Sequence, residues 1–238
     1  MTYLQFDPLR ALRAARVVAD DPDQLPEVFA IIESLSVDTL QRIGRRMKRS
    51  ETGRRLLDAR PDIVAKLADR EALAKLPDGS LGRTYLAFVE REKISAEGIR
   101  DAAASGMKHA SDIPAPLDWV HARMRDTHDL WHAVTGYSGD VLGEAALLAF
   151  TFAQTKNPGI ALIIGIAIAK TAHAANGGGR DARKTMLDGF RRGKNAAWFP
   201  GQDWESMLAL PVDEVRARLG LEAPPVYTEI RSSELKAA

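Results

Sequence analysis

The stretch HDLWHAVTGYSGDVLGE, from His128 to Glu144, gathers two of the chain's five histidines with Asp129 and Glu144. His128 and His132 stand four residues apart. On a helix that spacing puts both rings on one face, one turn apart, so both can reach one ion. Asp129, beside His128, either joins them as a ligand or holds a ring N–H from behind. Two imidazoles with one or two carboxylates and no sulfur suit Zn²⁺, and less exclusively Fe²⁺, Mn²⁺ or Co²⁺. With Asp129 coordinating, the protein closes the site; with Asp129 behind His128, a position stays open for water or substrate. A hydrogen-bonded histidine pair in the core is the plainer reading of the same spacing.

Glu144 weighs between the two. On one unbroken helix it would stand about 18 Å beyond His132. TGYSGD lies between, with Gly136 and Gly139 as breakers and Ser138 or Asp140 as a helix cap. A second, antiparallel helix starting near Val141 brings Glu144 back in its first turn, where the helix dipole favours negative charge. Its neighbours, EAALLAFTFA, are mostly apolar. A carboxylate there needs a partner, and an ion held by the histidines would be one.

The element that must position the histidines is a helix expected from about Leu117 to Val134. Leu117, Val120, Met124, Thr127, Trp131 and Val134 form its core stripe. His121, Arg125, His128 and His132 form a second stripe beside it.

The rest of the chain also reads helical. PLRALRAARVV, LPEVFAIIESL, VDTLQRIGRRM, DIVAKLADREALAKL and GRTYLAFVEREKI carry apolar residues at intervals of three and four. Period-two alternation, hairpin signals, heptads and repeats are missing. KNPG and NGGGRD read as loops between helices, and the tail after about residue 224, past Pro224-Pro225, reads as extended and loose. The expected fold is all-α: a single-domain multi-helix bundle over residues 1–238 with an apolar groove.

Composition narrows the function classes. The chain has 238 residues, 45% apolar and 27% charged, as in soluble globular proteins. A net charge of +1 gives no field for nucleic acid. Absence of cysteine excludes disulfides and thiolate metal sites. MTYLQFDPLR has no apolar core of the signal-peptide type. GIALIIGIAIA is too short to span a bilayer and reads as a core helix, or as a wall facing a lipid-like ligand or membrane.

Two lookalike motifs fit less well. H-E-x-x-H of the zincins uses a glutamate where Asp129 stands, and the usual third-ligand signature is missing. A phosphohydrolase of the HD type needs a separate upstream histidine, and His121 is too near His128 for that.

H-D-x-x-H followed by eleven residues and Glu resembles the signature of the fourth coenzyme Q (ubiquinone) biosynthesis protein family. The resemblance runs from about residue 20 to 222. It includes RRMKRSETGRRLLDARPDI, LPDGSLGRTYLAFV, the paired arginines of RMRDTHD, and FRRGKNAAWFPGQDWESMLALPVDEVRARLGL. The TGYSGD loop departs from the proline-containing loop of many relatives.

The resemblance implies an all-α fold and a divalent metal, thought to be zinc, at His128, Asp129, His132 and Glu144. It implies a role in ubiquinone biosynthesis: C1 decarboxylation, in some descriptions with hydroxylation, of a polyprenylated 4-hydroxybenzoate-derived intermediate. The site would then be that of a carboxy-lyase. The metal would act as a Lewis acid while Arg123 or Arg125 holds the departing carboxylate. Zinc has no redox chemistry, so hydroxylation would draw on quinone-like substrate chemistry, O₂ or another metal. Phe150, Phe152, Ile163, Ile164, Ile166 and Ile168 are candidates to line a groove for the prenyl tail, with core packing as the alternative for each. Arg191–Lys194 reads as a solvated face or a contact to a phosphate headgroup. The rival function is a non-catalytic scaffold with a structural metal, which binds prenylated intermediates and organises the other ubiquinone-biosynthesis enzymes. Expected partners are a polyprenylated aromatic or lipid, those enzymes, a peripheral membrane surface and a second copy as homodimer. With no targeting peptide read in the sequence, the expected setting is cytoplasmic, on the inner face of the membrane.

Overall fold

The computed structural model describes residues 6–36, 38–172 and 178–231. Fifteen α-helices follow one another among the described residues. They are α1 (Pro8–Asp20), α2 (Leu25–Leu35), α3 (Thr39–Met47), α4 (Glu51–Ala59), α5 (Val64–Leu67), α6 (Arg70–Ala74), α7 (Leu81–Glu92) and α8 (Gly98–Gly106). Then come α9 (Leu117–Asp126), α10 (His128–Thr135), α11 (Val141–Thr155), α12 (Pro158–Ala172), α13 (Gly178–Asn195), α14 (Trp204–Met207) and α15 (Val212–Arg218). No β-strand occurs among the described residues, only a single bridge between Ser80 and Pro211. The fold is all-α, as the periodicity predicts.

Local chemistry sets the boundaries. Asp7, Ser50, Asp69, Ser80, Asp140 and Asp203 each accept a backbone N–H at a helix start. Asp69 also splits DIVAKLADREALAKL into α5 and α6, where the periodicity predicts one helix. The NGGGRD loop is shorter than expected: α13 already begins at Gly178, and 173–177, with His173, lie outside the described residues.

The largest core cluster joins α7, α10, α11 and α15. Trp131 meets Phe150 and Phe199 edge-on, and Phe199 meets Trp204 in the same way. Trp131 lies on the face of α10 that the core stripe predicts, so packing it against these rings sets the rotation of α10 and the face its histidines present.

α11 is seated by an unusually close crossing with α13. A Cβ on Gly189 would lie 2.3 Å from the Ala146 carbonyl oxygen, and one on Gly193 would lie 2.5 Å from that of Phe150. No side chain fits there. Gln154 adds a buried polar tie by accepting from the Phe199 N–H at 2.9 Å and donating to the Gly193 carbonyl.

Ile163 packs with α1 and α2, while Ile164 and Ile168 pack against α11 and α13. Phe150 and Ile163 are core residues rather than groove walls. Ile164, Ile166, Ile168 and Phe152 are half-buried. No helix among the described residues is long and apolar enough to cross a membrane.

The tail differs from expectation in one respect. Residues 222–231 are extended, but they are not loose. They lie over the loop between α10 and α11, tied by Tyr227, Ile230 and Arg231.

Candidate metal centre

The helix expected from Leu117 to Val134 is two helices, α9 and α10, meeting at Thr127. The Thr127 hydroxyl donates to the Arg123 carbonyl at 2.8 Å, and its N–H takes the same oxygen at 3.0 Å. A threonine bonding back one turn bends a helix in this way. His128 therefore opens α10, and His132 follows one turn later.

α10 ends at Gly136, which takes a left-handed φ of 82° and donates its N–H to the His132 carbonyl at 2.8 Å. Arg192 donates to the Thr135 carbonyl at 3.0 Å and Arg216 to that of Val134 at 2.9 Å. Two cations thus satisfy carbonyls at the negative end of this short helix. The chain turns, and Asp140, one of the two predicted caps, starts α11 by accepting from Leu142 and Gly143 at 3.0 and 3.3 Å. Glu144 falls in the first turn and returns to the histidines.

The donor atoms of His128, His132 and Glu144 lie within 4.8 Å of one another. Glu144 Oε1 is 3.1 Å from His132 Nε2, and Oε2 is 3.7 Å from His128 Nε2. Ligands about 2.1 Å from a tetrahedral ion stand roughly 3.4 Å apart, so this spacing suits one ion after small side-chain shifts.

Each ring is fixed by its other nitrogen. His132 Nδ1 lies 3.0 Å from the Tyr137 carbonyl, which can only accept. Nδ1 therefore carries the proton, and in the neutral ring Nε2 is a bare lone pair. That Nε2 is buried and lacks a well-formed hydrogen bond. A lone pair facing a carboxylate oxygen is repulsive unless a proton or cation lies between them, so the donor set fits a metal ion. Asp129 Oδ1, 3.2 Å from His128 Nδ1, does for His128 what the carbonyl does for His132. Asp129 thus faces the far side of the His128 ring from Glu144.

With the rings protonated instead, the same contacts become ion pairs. Burial works to raise the Glu144 carboxyl, but the charge and hydrogen bonding of His132, then the charge of His128, outweigh it and hold the group down to about 2. Burial works against a charged His128, yet the Asp129 hydrogen bond and the charges of Glu144 and Asp129 prevail and raise its pKa. The Phe88 ring stacks on His132 at 5.0 Å and seals that side. The Glu144 side chain is 42% exposed while that of His132 is wholly buried, so the cluster opens on the glutamate side.

A family model described as Coenzyme Q (ubiquinone) biosynthesis protein Coq4 matches residues 9–225. The chain belongs to the Coq4 family. The mitochondrial ubiquinone biosynthesis protein coq4 of Talaromyces stipitatus is 36% identical over 193 residues, 81% of this chain and 63% of that protein. Its namesake from Aspergillus fumigatus is 34% identical over 192 residues, 81% of this chain and 64% of the relative. The chain thus spans less than two thirds of the length of these curated Coq4 proteins. A crystal structure from Nostoc punctiforme PCC 73102 superposes with a TM-score of 0.67 at 22% identity, covering 92% of this chain and 100% of that one. At that identity it supports the fold.

Among the Coq4-like residues, the paired arginines diverge from expectation. Arg123 is buried, and both its Nη atoms bond Glu205 at 2.7 Å while Nη2 also reaches the Gln202 carbonyl at 3.0 Å. Its fork is paired within the protein, on the α14 region. Arg125 spends Nε on Asp126 at 2.7 Å and lies beside His121. Within Arg191–Lys194, Arg191 is exposed and pairs with Asp188 and Glu222, Arg192 is buried under Tyr137, and Lys194 is exposed.

Sequence reasoning missed three contributors. Phe88 stacks on His132, and Tyr85, one turn earlier on α7, is buried where Asp129's charge reaches it. Both lie in LPDGSLGRTYLAFV, a segment that carries the family resemblance without revealing its target. The Tyr137 carbonyl leaves no side-chain signal at all.

Proposed function

We propose that this chain acts in ubiquinone biosynthesis as a metal-dependent carboxy-lyase, removing the C1 carboxylate of a polyprenylated 4-hydroxybenzoate-derived intermediate. The observation that carries the reading is the convergence of His128, His132 and Glu144, whose donor atoms all lie within 4.8 Å of one another. His128, His132 and Glu144 would hold the ion, zinc by donor type, with iron, manganese or cobalt as alternatives. Bound there, a divalent ion supplies Lewis acidity toward a carboxylate or phenolate.

The chain's own residues do the rest. Asp129 keeps His128 in the tautomer that presents Nε2, and the Tyr137 carbonyl does so for His132. Phe88 excludes water behind His132, leaving approach from the Glu144 side. When CO₂ leaves, the ring carbon keeps the bonding pair and takes up a proton. Arg125, the nearer of the paired arginines to His128 in sequence, is the remaining candidate to steer the carboxylate. The half-buried Ile164, Ile166 and Ile168 offer apolar surface to a prenyl tail or a membrane surface. The partners of this reading are the prenylated substrate and neighbouring enzymes of the same pathway.

The test is metal content by elemental mass spectrometry together with decarboxylation of a prenylated 4-hydroxybenzoate-type substrate. Wild type should hold one equivalent of metal and release CO₂, while folded Asp129→Asn should lose turnover. A folded Asp129→Asn protein that supports normal ubiquinone production would point instead to a scaffold with a structural metal.

A further inference from the structure

The loop between α10 and α11 carries both the carbonyl that orients His132 and the cap that starts Glu144's helix. The C-terminal strap holds that loop. Asp140, 1% exposed, is where the two meet. Its Oδ1 accepts from the Ile230 N–H at 2.9 Å as well as from α11, and its Oδ2 accepts from the Tyr227 hydroxyl at 2.8 Å. That hydroxyl in turn accepts from the Ser138 N–H at 2.9 Å, and the Ile230 carbonyl accepts from Val141 at 2.9 Å. Arg231 anchors the strap's end on Glu92 of α7 at 3.0 Å.

These bonds converge on one geometric quantity. His132 sits before the loop and Glu144 after it, so the loop sets how far apart Nε2 and Oε1 stand. The tie points Ser138, Asp140 and Val141 lie between Tyr137, whose carbonyl fixes the His132 proton, and Glu144. Tyr227, Ile230 and Arg231 lie beyond residue 225, where the family match ends. Burial and the Asp140 charge raise the Tyr227 pKa, so the phenol keeps the proton it donates.

We propose that Tyr227 is a positioning residue for the metal-binding cluster, with the strap clamping the α10–α11 loop so that His132 and Glu144 converge. The proposal rests on the reading of the cluster as a metal site, and it predicts that loosening the strap weakens metal binding without touching a ligand. Groups that position ligands from behind typically change metal affinity by about 10- to 100-fold when removed.

The experiment titrates chelator-stripped protein with Co²⁺ and follows the visible d–d bands. Wild type, Tyr227→Phe and Val226→Ala, a control at a fully exposed neighbour, are compared, with Tm recorded for each. Tyr227→Phe should bind Co²⁺ about tenfold more weakly with altered bands, and Val226→Ala should match wild type. Affinity within twofold of wild type in Tyr227→Phe overturns the proposal, whatever its Tm. Nitrogen NMR of the His132 ring in metal-free protein separates the two readings. If wild type binds no cobalt, the metal reading fails. The strap is then judged by His132 alone, whose nitrogen shifts should move in Tyr227→Phe; unchanged shifts overturn it. Should Tyr227→Phe fail to fold, Arg231→Ala, which releases the strap from Glu92, takes its place under the same criteria.

Discussion

His132 Nε2 and Glu144 Oε1 stand 3.1 Å apart across a turn, and the histidine's other ring nitrogen is spent on the Tyr137 carbonyl. Everything that orients the pair lies outside it. The Tyr137 carbonyl fixes the His132 ring, and a helix start capped by Asp140 aims the glutamate.

An ion in that gap should therefore stabilise the fold as well as bind. Ligands that bind only the native state add stability by mass action, about 2.7 kcal/mol at a hundredfold excess over Kd. Stripping the protein with a chelator should lower Tm by several degrees, and adding Zn²⁺ should restore it. His132→Ala should show no Zn²⁺-dependent rise. Differential scanning calorimetry with and without metal measures this, and equal Tm values in wild type would remove the ion from the site.

Arg123 provides a contrast, because its guanidinium is already paired within the protein. Its guanidinium and the Glu205 carboxylate form a two-pronged pair with side chains only 4% and 10% exposed. Breaking such a pair from one side leaves a buried charge and costs about 3–5 kcal/mol. Arg123→Ala should lower the urea midpoint accordingly while the folded fraction keeps its full metal content. Metal loss at unchanged stability would instead return Arg123 to the site.

The sequence exposes some of this design and hides the rest for physical reasons. The spacing of His128, His132 and Glu144, with glycines between, is local information, and helix geometry converts it directly into a cluster. The core stripe from Val120 to Val134 is legible for the same reason. Thr127 is hidden because its hydroxyl, in a position fit for the core stripe, breaks the helix by bonding Arg123's carbonyl. Arg123's partner is hidden because Glu205 is remote in sequence, and only packing brings α9 and α14 together. The strap is hidden because its extended backbone leaves no periodic signal, while its anchors on Asp140 and Glu92 are long-range.

The close crossing of α11 and α13 yields a packing prediction. Gly189→Ala and Gly193→Ala each place a methyl against backbone that cannot rotate away. Overpacking of this kind costs about 1–3 kcal/mol. Because α11 carries Glu144, both variants should also weaken metal binding in the protein that remains folded. Urea unfolding followed by metal titration checks both effects. A wild-type midpoint would mean that the helices separate freely.

His121 gives the fold an acid sensitivity distinct from that of the cluster. Burial, and then the charge of Arg125, push its pKa down to about 4 against the opposing pull of Glu33 and Asp126. In the unfolded chain the ring titrates near 6.5. Between these values the unfolded state binds a proton that the folded state refuses, so stability falls as pH drops from about 6.5 to 4 and is complete above that window. Two and a half pK steps correspond to about 3 kcal/mol at most. The raised pKa of His128 acts on the other side of 6.5, and the lowered carboxyls of Glu33, Glu92, Glu144 and Glu229 act below 4.5, so they meet this window only at its acid end. Urea midpoints of chelator-treated protein across the window should slope downward toward acid in wild type. In His121→Gln, which cannot take up that proton, the slope should flatten. An equal slope in both proteins would place the acid sensitivity elsewhere.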